Sequence, residues 1–401
     1  LINKKQVFFI SKIYDNFLNI KKKNRFISLN NLNNKFNLSK KKFLKDQSKL
    51  FLKQDFIKSD ILDKLNEKLK NFVNRKYSVT VNTCSDGLYI ALRALNIKEK
   101  DEVIVTSLSW ISTASSILQC NAKPVFCDVD LSTMNVTKEL VQEKATQNTG
   151  AIMIVHYAGL PVNMDEIQEL GYPIIEDAAH AIYSKYKGHQ CGAIGDVGIY
   201  SFDSVKNLTC AEGGGVVTND SKKIDRAKIL RYCGIGKSGF QNASLESSKK
   251  RWWEYNITEP FIKMLPNNVS ASIGLGQLKK IDSLQLIRQN IWNIYNEELK
   301  NLDQLILPVD VIEKDSRHSY FTYCIRAKDR DNLAKFLLDN NVYTTLRYHP
   351  LHMNSLYGQE DIYLKNSEIL NEEALSLPIH PRLSDDDVFY ICDLIKKFYN
   401  N

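Results

Sequence analysis

The chain has 401 residues, 43% hydrophobic and 25% charged, an ordinary globular composition with material for one large core and a smaller second one. Its net charge of +8 is unevenly held: residues 1–76 carry 20 Lys/Arg against 6 Asp/Glu, which leaves the remainder net acidic by 6. That excess marks a solvated Lys/Asn-rich leader, and with no nucleic-acid-binding motif beside it nucleic acid is not an expected partner. No apolar run is long enough to cross a bilayer, and no apolar h-region with a small-residue cleavage site stands near Leu1. Eight scattered cysteines show no CxxC and no Cys/His ligand spacing, so no metal site and no disulfide framework is expected. Together these features predict a cytoplasmic protein with no membrane contact.

Taken in chain order, residues 1–50 form the leader, where Phe8, Phe9, Ile10, Ile13 and Phe17 make one helical stripe. Residues 51–285 are expected to form a large domain and 286–401 a small C-terminal one. Asp60 to Arg75 reads as a helix, with Ile61, Leu65, Leu69 and Phe72 at helical spacing and Ser59 as its cap. From Tyr77 short strands and helices alternate. Strands are predicted at Tyr77–Val81, Glu102–Thr106, Pro124–Val129, Ala151–His156, Pro173–Glu176, Gly198–Phe202 and Gly214–Thr218. Helices fall at Gly87–Leu95, Thr113–Cys120 and Met164–Leu170, and residues 269–300 are strongly helical. A second α/β unit follows: strand Phe321–Arg326, helix Asn332–Asn340, strand Tyr343–Arg347 and a final helix Asp385–Tyr399. The alternation predicts an α/β fold built on a mostly parallel sheet covered on both faces, with ligands at the carboxyl ends of its strands.

Four polar elements stand at predicted strand ends. They are Asn82-Thr83-Cys84-Ser85-Asp86-Gly87-Leu88, Ser107-Leu108-Ser109-Trp110, Glu176-Asp177-Ala178-Ala179-His180, and Ser201-Phe202 running through Lys206-Asn207 to Glu212-Gly213-Gly214-Gly215. A helix N-terminus after Ser85 suits a phosphate, and the Ser85 and Ser201 hydroxyls can add to it. Trp110 offers a face for an aromatic cofactor. Asp177, ending a buried strand, needs a partner, and a protonated pyridine nitrogen would serve. Lys206 faces the same strand ends, where desolvation leaves some neutral amine to act as a nucleophile. Singly, each has a plainer reading. Ser85 is an ordinary cap, Trp110 a core residue, Asp177 a turn cap and Lys206 a solvated lysine. His180 has no companion at metal-ligand spacing, and Gly192, Gly195 and Gly198 do not match the dinucleotide fingerprint. Order and spacing together carry the functional reading.

With these elements the sequence resembles the DegT/DnrJ/StrS-type sugar aminotransferases, from about Phe26 to the C-terminus. The resemblance is carried by Asp101-Glu102-Val103-Ile104-Val105, Ala122-Lys123-Pro124-Val125-Phe126, Val155-His156-Tyr157, Ile175 through His180, Ser201-Phe202 with Lys206-Asn207, Ala271-Ser272-Ile273-Gly274-Leu275 and Leu377-Pro378. Trp110, His180 and the stretch from Lys206 to Gly214 look closest to the branch that forms 4-amino-arabinose and related 4-amino sugars. The resemblance implies a fold-type I transferase with a seven-stranded sheet, dependent on pyridoxal 5'-phosphate (PLP), moving an amino group from glutamate to a nucleotide-linked keto sugar, with C4 preferred over C3. It implies that Lys206 binds the cofactor covalently and shuttles the proton, and that Asp177 pairs with the pyridine nitrogen. Trp110 would stack on the ring, His180 lie near its oxygen, and Ser85, the Asp86 amide and Ser201 hold the phosphate. It further implies a homodimer in which an asparagine of the partner reaches the phosphate. That residue aligns near Asn268, with Leu265 at the family's usual position and Asn267 beside it. The Trp252-Trp253-Glu254-Tyr255 cluster and Lys263 to Asn268 are the candidate interface loop. A sugar dehydratase on this fold carries histidine in place of the lysine, and a catalytically silent regulator would not need the Lys206/Asp177 pair.

Overall fold

The computed structural model describes residues 26–29, 40–54, 56–57, 60–236, 251, 253–311, 313–359 and 361–400. The leader stripe from Phe8 to Phe17, Ser59 and Trp252 lie outside the described residues. Two helices, α1 (Lys40–Lys53) and α2 (Asp60–Val73), precede the sheet. Strand β1 (Tyr77–Val81) leads into α3 (Cys84–Ala94), β2 (Glu102–Thr106) into α4 (Ile111–Gln119), and β3 (Lys123–Cys127) into α5 (Lys138–Lys144). Next come β4 (Thr149–Val155), α6 (Met164–Gln168) and β5 (Ile174–Asp177). A small hairpin, β6 (Lys185–Tyr186) and β7 (His189–Gln190), separates β5 from β8 (Val197–Ser201), β9 (Gly214–Thr218) and α7 (Ser221–Leu230). Helices α8 (Asn268–Leu278) and α9 (Ile281–Leu299) lead to β10 (Leu305–Ile306), β11 (Tyr323–Ala327), α10 (Arg330–Asp339), α11 (Lys365–Glu373), β12 (Ala374–Leu377) and α12 (Asp385–Asn400).

The main sheet has seven strands in the order β1-β9-β8-β5-β4-β2-β3. β9 runs antiparallel to both its neighbours, and the other pairs are parallel. Its inner strands are apolar without alternation because both faces are covered. Successive side chains feed two separate cores. Ile104, Ile152, Ile154, Ile174 and Val217 pack on one face with Leu62, Leu65, Leu69 and Val73 of α2. Val103, Val105, Met153, Ile175 and Val216 pack on the other with helices α3, α4 and α7. A one-residue slip of any strand would exchange these sets, so register is fixed by burial. A third core gathers Trp292 and Tyr295 of α9 with β11, β12, α10 and α12, and Ile27 docks on it through paired backbone bonds to Asn341 and Tyr343.

Several expectations need correction. Helix α3 begins three residues before Gly87, because Thr83 and Asp86 form a capping box that starts it at Cys84. Helices α5, α7 and α11 were not foreseen. They are short, and α5 and α7 start on local caps, Thr137 and Asp220. Residues 269–300 form two helices, parted at Lys279 and Lys280. Tyr343–Arg347 is not a strand: Val342 and Thr345 each make one isolated bridge, to Ile27 and Ser376, and the chain then turns away. Helix α9 joins the two cores, with Ile281 packed in that of the sheet and Trp292 in the C-terminal one.

Candidate active site

The carboxyl ends of β1, β2, β5 and β8 open into a cleft of 490 Å³. Six of the sequence-predicted site residues line it: Ser85, Trp110, Asp177, His180, Ser201 and Lys206. At the end of β1, Thr83 caps α3 by accepting the Asp86 amide at 3.1 Å, while the Asp86 carboxylate accepts the Thr83 amide at 3.1 Å. The Asp86 amide expected to meet a phosphate is therefore already spent in the cap, and Asp86 is not on the cleft wall. The first two amides of the helix, those of Cys84 and Ser85, have no acceptor within the helix. The Ser85 hydroxyl donates to Ser112 at 2.7 Å. Gly214 lets β9 approach this turn, since a Cβ there would stand 2.6 Å from the Thr83 carbonyl oxygen.

Asp177 ends β5 with 4% of its surface exposed. One oxygen accepts the Ala179 amide at 3.1 Å and the other the Thr113 hydroxyl at 3.0 Å, with Ser109 behind Thr113 at 2.8 Å. Burial is the largest influence on this carboxyl and raises its pKa, while the Ala179 amide, Thr113, Lys206 and His156 pull the other way. A buried carboxylate left under-compensated in this way fits a positively charged ring nitrogen as its missing partner. His180 stacks on Phe321, with ring centroids 4.1 Å apart and planes 15° from parallel, and its Nε2 lies 3.0 Å from the Tyr348 hydroxyl. Burial, then the charges of Lys206 and Arg347, hold its pKa well below the usual histidine range, so the ring is neutral. Its buried Nδ1 has no hydrogen-bond partner among the described residues.

Lys206 follows β8 on a loop closed by backbone bonds from Cys210 to Phe202 and from Phe202 to Gly213. A turn on Asp203, whose side chain accepts the Val205 amide at 2.8 Å, aims the lysine back at the cleft. Its Nζ sits 4.7 Å from the centroid of Phe321. Trp110 is 55% exposed, a cleft wall and not a core residue, with its ring 5.8 Å from that of Tyr348. Ser201 is buried beside the loop, and its hydroxyl accepts the Asp203 amide at 3.4 Å.

Asn268 is not brought to the cleft. It is fully buried within the chain, and its backbone amide donates to the Phe56 carbonyl. The exposed neighbour Asn267 spends its side-chain oxygen on the Ser270 amide as the cap of α8. Sequence reasoning missed Thr113, which buttresses Asp177, and the wall formed by Arg347 and Tyr348. It also missed Glu212, whose pKa is raised by burial and by its hydrogen-bonded neighbour Asp203 on the same wall. Thr113 stands one helical turn past the Ser-Trp element. Arg347 carried no signal apart from its expected place in a strand. Among the described residues no three His, Cys, Asp or Glu side chains gather as a metal site.

The cleft can thus hold a phosphate at a helix N-terminus, an aromatic ring between Trp110 and the strand ends, a cationic nitrogen on Asp177, and a reacting carbonyl near Lys206. The family model for the DegT/DnrJ/EryC1/StrS aminotransferase family matches residues 38–396. An uncharacterised protein of Methanocaldococcus jannaschii, MJ1066, is 38% identical over 363 residues, 86% of this chain and 92% of that one. The dTDP-4-dehydro-2,3,6-trideoxy-D-glucose 4-aminotransferase of Saccharopolyspora spinosa is 32% identical over 331 residues, 81% of this chain and 85% of that enzyme. The crystal structure of the aminotransferase TlmJ from Streptoalloteichus hindustanus superposes with a TM-score of 0.83 at 32% identity, covering 89% of this chain and 96% of that one. The chain belongs to the DegT/DnrJ/EryC1/StrS aminotransferase family and is a PLP-dependent sugar aminotransferase.

Proposed function

We propose that the protein moves an amino group from glutamate to C4 of a nucleotide-linked keto sugar, with Lys206 as the proton-shuttling amine. The observation that carries this reading is the convergence of Lys206, Asp177 and the N-terminus of α3 on one cleft. PLP, when bound, supplies an electron sink that acidifies the carbon bearing the amine. Asp177 holds the ring nitrogen protonated, and Thr113 and the Ala179 amide hold Asp177 in place. The amides of Cys84 and Ser85 and the hydroxyls of Ser85 and Ser201 bind the phosphate. Trp110 covers the ring, and His180 stays neutral beside it. Lys206 takes the proton from the donor carbon and returns it to the far side of the transfer. Preference for C4 is supported by the Saccharopolyspora relative, which acts at a 4-keto carbon.

Residues 51–285 hold the cofactor in this reading, and residues 286–401 complete the cleft with Arg347 and Tyr348. The working form is a homodimer. Trp253, Tyr255, Ile257 and Ile262 are all more than half exposed, an apolar run that suits burial against a second copy. All eight cysteines are free thiols, in keeping with a cytoplasmic enzyme. Mass spectrometry of products from a panel of nucleotide keto sugars with glutamate tests the assignment. A mass gain from replacing the keto oxygen by an amine is expected with a 4-keto substrate. Product only from 3-keto sugars, or none from any, refutes it.

A further inference from the structure

We propose that Ser319 is a positioning residue for aminotransfer: it sets where the Lys206 amine stands against the ring of His180. This rests on the aminotransfer reading and adds to it a residue that lies just before β11, fully buried and away from the cleft lining. The polar groups of Ser319 bind different segments of the site. Its carbonyl accepts the side-chain amide of Asn207, the residue after Lys206, at 2.7 Å. The same carbonyl accepts the side-chain amide of Gln285 on α9. Its hydroxyl donates to the His180 carbonyl at 2.6 Å. Its backbone amide donates to the Gly159 carbonyl at 3.3 Å, in the turn after β4. The loop that carries Lys206 and the turn that carries His180 are thus tied to one residue.

The same short segment registers the two side chains as well as the two backbones. Phe321 takes the Lys206 Nζ at 4.7 Å from its ring centroid and the His180 ring at 4.1 Å, and its amide is fixed on the Ala158 carbonyl at 2.9 Å. A buried hydroxyl is costly without an acceptor, and here the acceptor is the His180 backbone. Gly159 leaves room for that bond: its φ is +92°, and a Cβ there would stand 2.0 Å from the Ser319 Oγ. Alanine at 319 would keep the carbonyl that holds Asn207 and release the His180 turn. The charge of Lys206 is one of the influences that lower the His180 pKa, so a change in their spacing is readable as a change in titration. Asp177 and Cys84 also face the Lys206 amine, and Arg347, Tyr348 and Tyr157 face the His180 ring. The Ser319 hydroxyl is spent on a backbone carbonyl, so its removal takes a bond from none of those side chains.

The test follows the visible absorption band of the bound cofactor across pH in cofactor-saturated enzyme. Ser319→Ala and Asn207→Ala cut opposite ends of the link. Each should move the pH midpoint of the band by about half a unit or more. Each should also lower kcat by about tenfold to a hundredfold, the cost of misplacing a reacting group. A residue of structure alone would lower the urea midpoint and leave the band and kcat of the folded enzyme at their wild-type values. That result in Ser319→Ala overturns the proposal, whatever the stability of the variant. If Ser319→Ala does not fold, Asn207→Ala decides on the same terms. If the band moves in Ser319→Ala while wild type aminates no keto sugar, the positioning of Lys206 stands and the sugar assignment falls. If wild type aminates the sugar and neither band nor kcat changes in Ser319→Ala, the positioning falls and the aminotransfer reading stands.

Discussion

Glu176 and Asp177 are neighbours on β5, both buried, and the two faces of the strand treat them differently. Glu176 continues the face of Ile174. One of its oxygens accepts the amides of Ile194 at 2.6 Å and Gly195 at 2.5 Å. The other accepts the Gly192 amide at 2.6 Å and His156 Nε2 at 3.0 Å. His156 accepts the Val162 amide at its Nδ1, so its Nε2 carries the proton and donates to Glu176. Burial acts to raise the Glu176 pKa, but His156 and the Gly195 and Gly192 amides outweigh it and hold the carboxyl below its usual range. Asp177 continues the face of Ile175, has two donors in place of four, and is held above its usual range. Equal burial with unequal satisfaction sets a structural carboxylate beside one that, in the proposed function, pairs with a ligand.

The largest effect expected on the cleft side is at Lys206. Lys206→Ala should lower turnover by roughly four orders of magnitude while leaving the cofactor bound noncovalently. Borohydride treatment of wild-type enzyme followed by peptide mapping should mark Lys206, and a mark on another lysine breaks the assignment. Next is Asp177→Asn, which keeps the shape and removes the charge. The kcat should fall by two or more orders of magnitude, about 3 kcal/mol of transition-state stabilisation. Stopped-flow measurement of the glutamate half-reaction reads this, and near-normal proton abstraction would return Asp177 to the role of a turn cap.

On the other face the expected loss is of stability. In Glu176→Gln the new amide group replaces one oxygen and meets the Gly192 amide and the His156 N–H, donor against donor. Two buried donors lose their acceptor, which costs on the order of 3 kcal/mol. Urea unfolding should show a lower midpoint with an unchanged slope. A kcat loss as large as that of Asp177→Asn, with stability intact, would erase the distinction between the faces.

How much of this was legible in the sequence follows from where each residue stands. The expected limits of strands β1, β2 and β9 match the observed ones, because each is a short stretch rich in β-branched residues. Ser85, Trp110, Asp177, His180, Ser201 and Lys206 were legible because strand ends converge by topology in a parallel sheet. The C-terminal wall was not, since Arg347 and Tyr348 lie on irregular chain fixed by single backbone bridges and by distant partners such as Ser107 and Ser376. Asp86 shows a subtler limit. Its place beside Ser85 was plain, but its use in the capping box depended on the rotamers of two side chains. The separate duties of Glu176 and Asp177 required the loop at 192–195 to be seen folding back over β5.

The smallest effect sharpens the comparison through pH, in cofactor-free protein. Asp177 has a folded pKa above its unfolded one, so the folded state holds the proton more tightly. Whatever stability it contributes is full below the unfolded pKa and is lost as pH rises through the folded pKa. Glu176 has a folded pKa below its unfolded one, so its contribution is full above the unfolded value and is lost as pH falls through the folded value. The two neighbours therefore tilt the acid side of the stability curve in opposite senses. Asp177→Asn removes a charge that burial penalises at neutral pH while leaving an oxygen to accept the Ala179 amide. It should be as stable as wild type or slightly more so at pH 7, by no more than about 1 kcal/mol, and that margin should shrink on acidification. Glu176→Gln should behave oppositely, with its deficit largest at pH 7 and closing as wild type loses its own carboxylate. Urea midpoints of the three proteins between pH 7 and pH 3 decide the matter. Parallel curves for the two variants would mean that the faces of β5 treat a carboxylate alike, and that Asp177 is not held in reserve for a cationic ring nitrogen.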